Sequence, residues 1–200
     1  MKAPGAPSRA RWRFHHSVDN RAVIAEILNQ LDEYRECVMA STGNDKGAPV
    51  ATAMMMIRRP VADVFAAFVD PAITTKFWFS RGSARLQPGG TAQWFWDTYG
   101  VSATVNVLDF EPGARLRIEW GDPGAMTFVE WTFTALSPDR TFVRVVESGF
   151  RGDDKAVVAR ALDSTGGFNL LLAGAKAWLE HGIELALVPD HVPEDARHLV

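Results

Sequence analysis

The polar side chains that could do chemistry are few. They are Asp97, Tyr99, Glu130, Glu147, Asn169 and Lys176. An acid held in an apolar pocket can act as a proton donor or base. Glu147 shares the alternation of Val143 and Val145, which makes it the best inward-pointing acid, although a carboxylate at the end of a strand is commonly solvated. Glu147, with Tyr99 or Asn169 as orienting donor, is the candidate catalytic set.

The pattern places other polar candidates away from the core. Glu130 alternates with Val129 and Trp131, which predicts that it lies on the opposite face of its strand. Lys176 and Asn169 lie off the apolar stripe of their helix.

The sequence contains no motif that indicates a metal site, a nucleotide site or a catalytic nucleophile. The histidines at positions 15, 16, 181, 191 and 198 include no pair at zinc-ligand spacing on one helix. The sequence contains no phosphate-binding glycine loop with its lysine and no nucleophile elbow. The single cysteine, Cys37, lies beside the apolar stripe of a predicted helix and is expected to pack there. We expect no cofactor and no metal.

Composition excludes several partners. Lys and Arg number 21 against 24 for Asp and Glu, and the basic residues are scattered, so we expect no nucleic acid. No run approaches the roughly 18–20 apolar residues that span a membrane, so no membrane is expected. With no secretory signal in the first thirty residues and one cysteine, the prediction is a cytoplasmic protein.

Period-two alternation of apolar residues predicts an antiparallel sheet. The predicted strands are Ala51–Ile57, Thr91–Asp97, Val101–Val107, Arg115–Trp120, Thr127–Ala135 and Thr141–Glu147. Turn residues separate these strands. Two short helices, Pro60–Val69 and Ala72–Phe79, are predicted after the first strand.

The longest helix is predicted over Leu162–Leu187, beginning among Asp163, Ser164 and Thr165. Its apolar stripe is Phe168, Leu171, Leu172, Ala175, Leu179 and Ile183. The pattern also contains four glycines, Gly166, Gly167, Gly174 and Gly182. Because a glycine costs about 1 kcal/mol relative to alanine in a helix interior, these indicate either close packing on the sheet or space left for a guest.

The first fifty residues are predicted to be an appendage. Residues 1–17 are expected to be disordered, 18–40 to form an amphipathic helix and 41–50 a polar linker. The helix must bury its stripe on the main domain or in a second subunit, so a homodimer is one expectation. Methionines at 54–56 also allow a later translation start, which would leave residues 1–50 outside the native product. Residues 51–188 form the predicted main domain, and 189–200 a tail.

Several motifs in fixed order resemble the helix-grip domains of the START-like superfamily, also called SRPBCC, Bet v-like or polyketide-cyclase. The branch they resemble most is named after the activator of heat-shock protein 90 ATPase. The motifs are Ile57–Pro60, Val64-Phe65, Asp70-Pro71, Phe77-Trp78, Pro88-Gly89-Gly90, Leu108–Gly113, Arg115-Leu116, Glu119-Trp120, Thr141–Phe150 and Trp178–Gly182. The resemblance implies an α+β helix-grip fold, a curved antiparallel β-sheet wrapped around a long C-terminal helix, with the N-terminal helix as an extra.

In such a fold the cavity lies between the sheet and the long helix, so the resemblance implies ligand-binding residues on both. The candidates are Trp78, Trp94, Trp96, Trp120, Trp131, Phe133, Phe168 and Leu172. Aromatic rings offer rigid apolar area to a flat guest, but each ring could instead fill the core.

Three functions stay open. The first is binding of a hydrophobic or aromatic small molecule in the cavity. The second is a cyclase- or hydrolase-like reaction in the same cavity. The third is regulation of a chaperone through the surface, as the family name suggests. We expect a ligand-binding domain rather than an enzyme.

Overall fold

The computed structural model describes residues 48–199 of the chain. The predicted disordered start, the amphipathic helix at 18–40 with its expected homodimer contact, and most of the linker therefore lie outside the described residues.

The described residues contain seven strands, six of which follow the alternation in the sequence. They are β1 Ala51–Ile57, β2 Arg81–Gly82, β3 Thr91–Trp96, β4 Val101–Glu111, β5 Arg115–Gly121, β6 Thr127–Ser137 and β7 Arg140–Ser148. They form one antiparallel sheet in the order β1-β7-β6-β5-β4-β3-β2, so the first strand pairs with the last. The six predicted strands are confirmed, and β2 is missed because two residues are too short for a period to show.

Within residues 48–199, three α-helices accompany the sheet: α1 Val61–Val69, α2 Pro71–Thr74 and α3 Asp154–His181. The long C-terminal helix confirms the α+β helix-grip fold. The predicted second helix was too long, because the chain after Thr74 tightens into turns. None of the described helices is long and apolar enough to cross a membrane.

The predicted ends of α3 were wrong. The helix starts at Asp154, where the Asp153 carboxylate accepts a hydrogen bond of 2.8 Å from the Ala156 amide. Residues 154–160 are mostly exposed, so this part of the helix has no apolar stripe from which its start could be predicted. The helix stops at His181 because Gly182 adopts a left-handed conformation with φ of 67°. Ile183 therefore lies past the helix and is exposed.

The second half of α3 packs tightly. Leu171, Leu172 and Ala175 are fully buried. At Gly174 an added Cβ would lie 3.1 Å from both the carbonyl oxygen and the Cβ of Phe77. Close packing therefore explains Gly174.

A buried carboxylate ties the end of α3 to the end of β1. The Glu180 side chain is only 5% exposed. Its Oε1 accepts a 2.7 Å hydrogen bond from the Arg58 amide and a second bond from Lys176, which also donates to the Met56 carbonyl at 2.8 Å. Burial alone would raise the pKa of Glu180, but the hydrogen bonds and positive charges of Lys176 and Arg58 outweigh it and lower that pKa.

We expect Glu180→Gln to lower the free energy of unfolding at pH 7 by about 1–3 kcal/mol, because charge-assisted bonds are lost. A lowered native pKa stabilises the fold above the ordinary value of 4.5, and this contribution is lost as pH falls through the native pKa. The gap between wild type and variant should therefore narrow in acid. Urea unfolding of both proteins from pH 7 down into acid measures this gap in the free energy of unfolding. Glu194→Gln, which removes an exposed carboxylate, is the control at pH 7. A gap that stays constant in acid would contradict the assignment.

Candidate functional site

A cavity of about 590 Å³ lies between the first half of α3 and the part of the sheet formed by β3, β4 and β5. Its lining residues are Trp78, Trp96, Tyr99, Val101, Ser102, Ala103, Trp120, Gly121, Asp163, Ser164, Gly167, Phe168, Leu170, Val188, His191 and Val192. The volume falls within the range of about 300–1,000 Å³ that small-molecule sites occupy. The segment after α3 supplies one wall through Val188, His191 and Val192.

Four of the eight predicted ligand-binding residues line this cavity: Trp78, Trp96, Trp120 and Phe168. The other four lie elsewhere: Trp94, Trp131, Phe133 and Leu172 are all at most 4% exposed and belong to the core. For Trp131 and Phe133 the reason lies in the short helix α1, whose Phe65 and Phe68 rings pack on the same face of the sheet. Both rings contact Phe133, and Phe68 also contacts Trp131.

The tryptophans of the cavity wall are held against one another at fixed angles. The ring centroids of Trp78, Trp96 and Trp120 are each 6.0 Å from the other two, with planes inclined by 52–70°. Phe168 stacks on Trp120 with an interplanar angle of 27°. The wall is therefore a packed aromatic surface in which each ring limits the movement of its neighbours.

The glycines of α3 differ in how much space surrounds them. An added Cβ at Gly166 or Gly167 would meet no atom within 4 Å, and only Gly167 of the two lines the cavity. Open space at Gly167 agrees with the expectation of volume between helix and sheet, whereas Gly174 agrees with close packing. Gly182 is the helix cap.

Sequence reasoning missed the polar groups on the cavity wall that come from α3. Asp163 and Ser164 were assigned to the helix start, but they lie three turns inside α3 and face the cavity. The signal was present, because Asp163 precedes Gly167 by four residues and so shares its face of the helix. Tyr99, a predicted candidate, also lies on the wall and donates a hydrogen bond to the Val188 carbonyl.

Glu147 points inward and is only 3% exposed, so the alternative of a solvated carboxylate was wrong. Its Oε1 accepts a 2.8 Å hydrogen bond from Trp120 Nε1 and another from the Thr127 hydroxyl. Its Oε2 is buried and has no hydrogen-bond partner among the described residues. Glu147 is therefore not on the cavity wall but is joined to it through the indole of Trp120.

The predicted catalytic set does not come together. Asn169 is exposed on α3, where its amide donates to the Thr165 carbonyl, because it lies on the side of the helix away from Phe168. Glu130 lies on the outer face of the sheet, as its alternation predicts. Its Oε2 is 2.6 Å from Nη2 of Arg115. The Asp97 carboxylate, another polar candidate, pairs with Arg81 at the surface, which lowers the pKa of Asp97 through their hydrogen bonds.

These observations define a helix-grip domain with an aromatic-walled cavity under the first half of its long helix. Residues 58–180 match the model of the family described as activator of Hsp90 ATPase homolog 1-like protein. The match spans more than half of the chain, and the chain belongs to this family. A search of curated proteins found no match.

Solved structures share the fold. A protein from Staphylococcus saprophyticus is 28% identical with a TM-score of 0.58, over 68% of this chain and 95% of that one. The Aha1 dimer from Colwellia psychrerythraea is 16% identical with a TM-score of 0.58, over 66% of this chain and 97% of that one. The di-domain ARO/CYC BexL from the BE-7585A biosynthetic pathway is 19% identical with a TM-score of 0.54. That alignment covers 70% of this chain and 48% of BexL, so the chain spans about half of BexL's length.

We expect Glu147→Ala to lower the free energy of unfolding by about 1–3 kcal/mol, because the Trp120 indole and the Thr127 hydroxyl lose their shared acceptor. Glu147→Gln keeps an acceptor oxygen at the same place and should cost less than about 1 kcal/mol. Urea unfolding of the three proteins measures both differences. Equal losses in the two variants would show that the charge, and not the accepted hydrogen bonds, matters at this position.

Proposed function

We propose that the domain binds a hydrophobic or aromatic small molecule in the cavity between the sheet and α3. The observation that carries this proposal is the wall formed by the half-buried rings of Trp78, Trp96 and Trp120 and the buried ring of Phe168 around a volume of about 590 Å³. Large rigid apolar surfaces that stay partly accessible inside a concave site are typical of ligand pockets.

The construction of α3 supports the same proposal. A helix that covers a sheet would ordinarily fill the interface with side chains. Here Gly167 places no side chain in the cavity, and an alanine there would still meet no neighbour within 4 Å. Because the glycine weakens the helix by about 1 kcal/mol relative to alanine, the open volume is the feature that accounts for it.

The similarity to other proteins supports a ligand-binding or cyclase-like domain. ARO/CYC BexL, which shares the fold, comes from a biosynthetic pathway. A cyclase- or hydrolase-like reaction by Glu147, Tyr99 and Asn169 has weaker support, because Asn169 lies outside the cavity and Glu147 is behind Trp120. Binding without chemistry is therefore the function that we propose.

Filling the cavity from α3 tests the proposal. Gly167→Leu adds a side chain to the cavity wall, and we expect it to weaken binding of a neutral aromatic dye at least tenfold while leaving the fold intact. Gly166→Leu is the matched control, because Gly166 is equally exposed on the same helix but does not line the cavity. Dye fluorescence titration measures affinity, and circular dichroism checks the fold.

Unchanged dye binding in Gly167→Leu would refute binding in this cavity. Native mass spectrometry of the purified wild type supplies an independent readout, since a retained small molecule should be reduced in Gly167→Leu and kept in Gly166→Leu.

A second candidate is chaperone regulation, favoured by the match of residues 58–180 to the family described as activator of Hsp90 ATPase homolog 1-like protein. This candidate predicts that the full chain stimulates the ATPase activity of Hsp90. Because the contact would be made by the surface, Gly167→Leu should stimulate as well as wild type. Absence of stimulation in a coupled ATPase assay would remove this candidate and leave the cavity proposal untouched.

A further inference from the structure

The charged side chains that line the cavity indicate which ligand charge it favours. Asp163 is the only carboxylate among the described residues that line the cavity, and none of those residues is a lysine or an arginine. His191 is the one basic side chain among the described lining residues, so the wall offers no guanidinium or ammonium group to a carboxylate or phosphate group. The lining therefore disfavours an anionic guest.

The Asp163 carboxylate makes no ion pair or hydrogen bond with any other described side chain. Arg160, one turn earlier on α3, donates to the Arg151 carbonyl. Asp97, near the other side of the cavity, is paired with Arg81 and so differs from Asp163. Asp163 is thus an available negative charge on the cavity wall.

The three tryptophans offer a second feature that attracts positive charge. A cation is held by the face of an indole ring within about 6 Å of the ring centroid. The centroids of Trp78, Trp96 and Trp120 form a triangle with sides of 6.0 Å, so one cation can lie within that range of all three rings. Their planes are inclined by 52–70° because the rings pack against one another, and together they form one aromatic wall of the cavity.

We infer that the cavity selects an organic cation, with its ammonium group against the wall formed by Trp78, Trp96 and Trp120 and with Asp163 as its counter-ion. The apolar body of the guest lies along the remaining wall, which includes Val101, Ala103 and Leu170. This inference rests on the proposed small-molecule function and adds the charge class of the ligand. Neither an aromatic wall alone nor one acid alone would specify a cation, but the two face the same volume, in which no described lysine or arginine competes.

Three probes built on one phenylpropyl chain test the inference on the full chain. They are 3-phenylpropyl-trimethylammonium, its neutral carbon isostere with a tert-butyl group in place of the trimethylammonium, and 4-phenylbutyrate as the anion. We expect the cation to bind at least about tenfold more tightly than the isostere, and the anion to bind most weakly. Isothermal titration calorimetry at neutral pH and low salt measures all three affinities.

Two variants separate the local charge from the overall charge. Asp163→Asn should weaken the cation about threefold to tenfold and leave the isostere unchanged. Asp154→Asn makes the same change of net charge at the exposed start of α3, away from the cavity, and should leave both affinities unchanged. Equal losses in the two variants would mean that long-range charge alone favours the cation, which would overturn the role of Asp163.

The outcomes distinguish this inference from the proposal on which it rests. If the isostere binds as tightly as the cation and Gly167→Leu weakens both, the cavity binds apolar guests and the cation inference is wrong. If no probe binds and the neutral dye also fails, both the inference and the proposed function are wrong.

Discussion

The structure depends on how α3 is held against the sheet. At its C-terminal half, Gly174 lets the helix approach the backbone of Phe77, and buried Glu180 binds the Arg58 amide. These contacts fix the helix at one end of the concave face. Its N-terminal half is held less tightly, since residues 154–160 are mostly exposed and Gly167 has no neighbour within 4 Å. The cavity lies beneath residues 163–170 of α3, between the tightly packed C-terminal part of the helix and its exposed first turns.

The aromatic residues are divided between two tasks by their distance from α1. Phe65 and Phe68 of α1 pack on the same face of the sheet as Trp131 and Phe133, so these two rings have become core. The ring contacts of Trp96 and Trp120 in the described structure include those with Trp78, with Trp94 and with each other but none with α1, and both rings stay half-buried. The high aromatic content of the chain thus has no single explanation, because part of it stabilises the fold and part of it shapes the cavity.

The sequence predicted the strands well because a half-buried strand shows its period directly, as Val143, Val145 and Glu147 do in β7. It predicted the ends of α3 poorly, since the exposed first turns of that helix have no apolar stripe. Only part of the cavity wall could be predicted. Alternation tells which face of the sheet a ring such as Trp94 lies on, but not whether another ring covers it. Trp94 is stacked on Phe79 at 4.8 Å, a contact that only the folded chain brings about. The position of Asp163 on the cavity wall was missed because the predicted start of α3 lay too late in the sequence.

The two sides of the cavity differ in how they are built. Trp120 donates a hydrogen bond to buried Glu147, so moving its ring would leave the indole N–H without this acceptor, at a cost of about 1–3 kcal/mol. That wall lies within residues 58–180, which match the family. The wall formed by Val188, His191 and Val192 lies beyond the matched residues and is joined to the sheet through the Tyr99 hydroxyl and the Val188 carbonyl. The aromatic wall therefore lies within the residues that match the family, whereas the wall formed by the segment after α3 lies outside them.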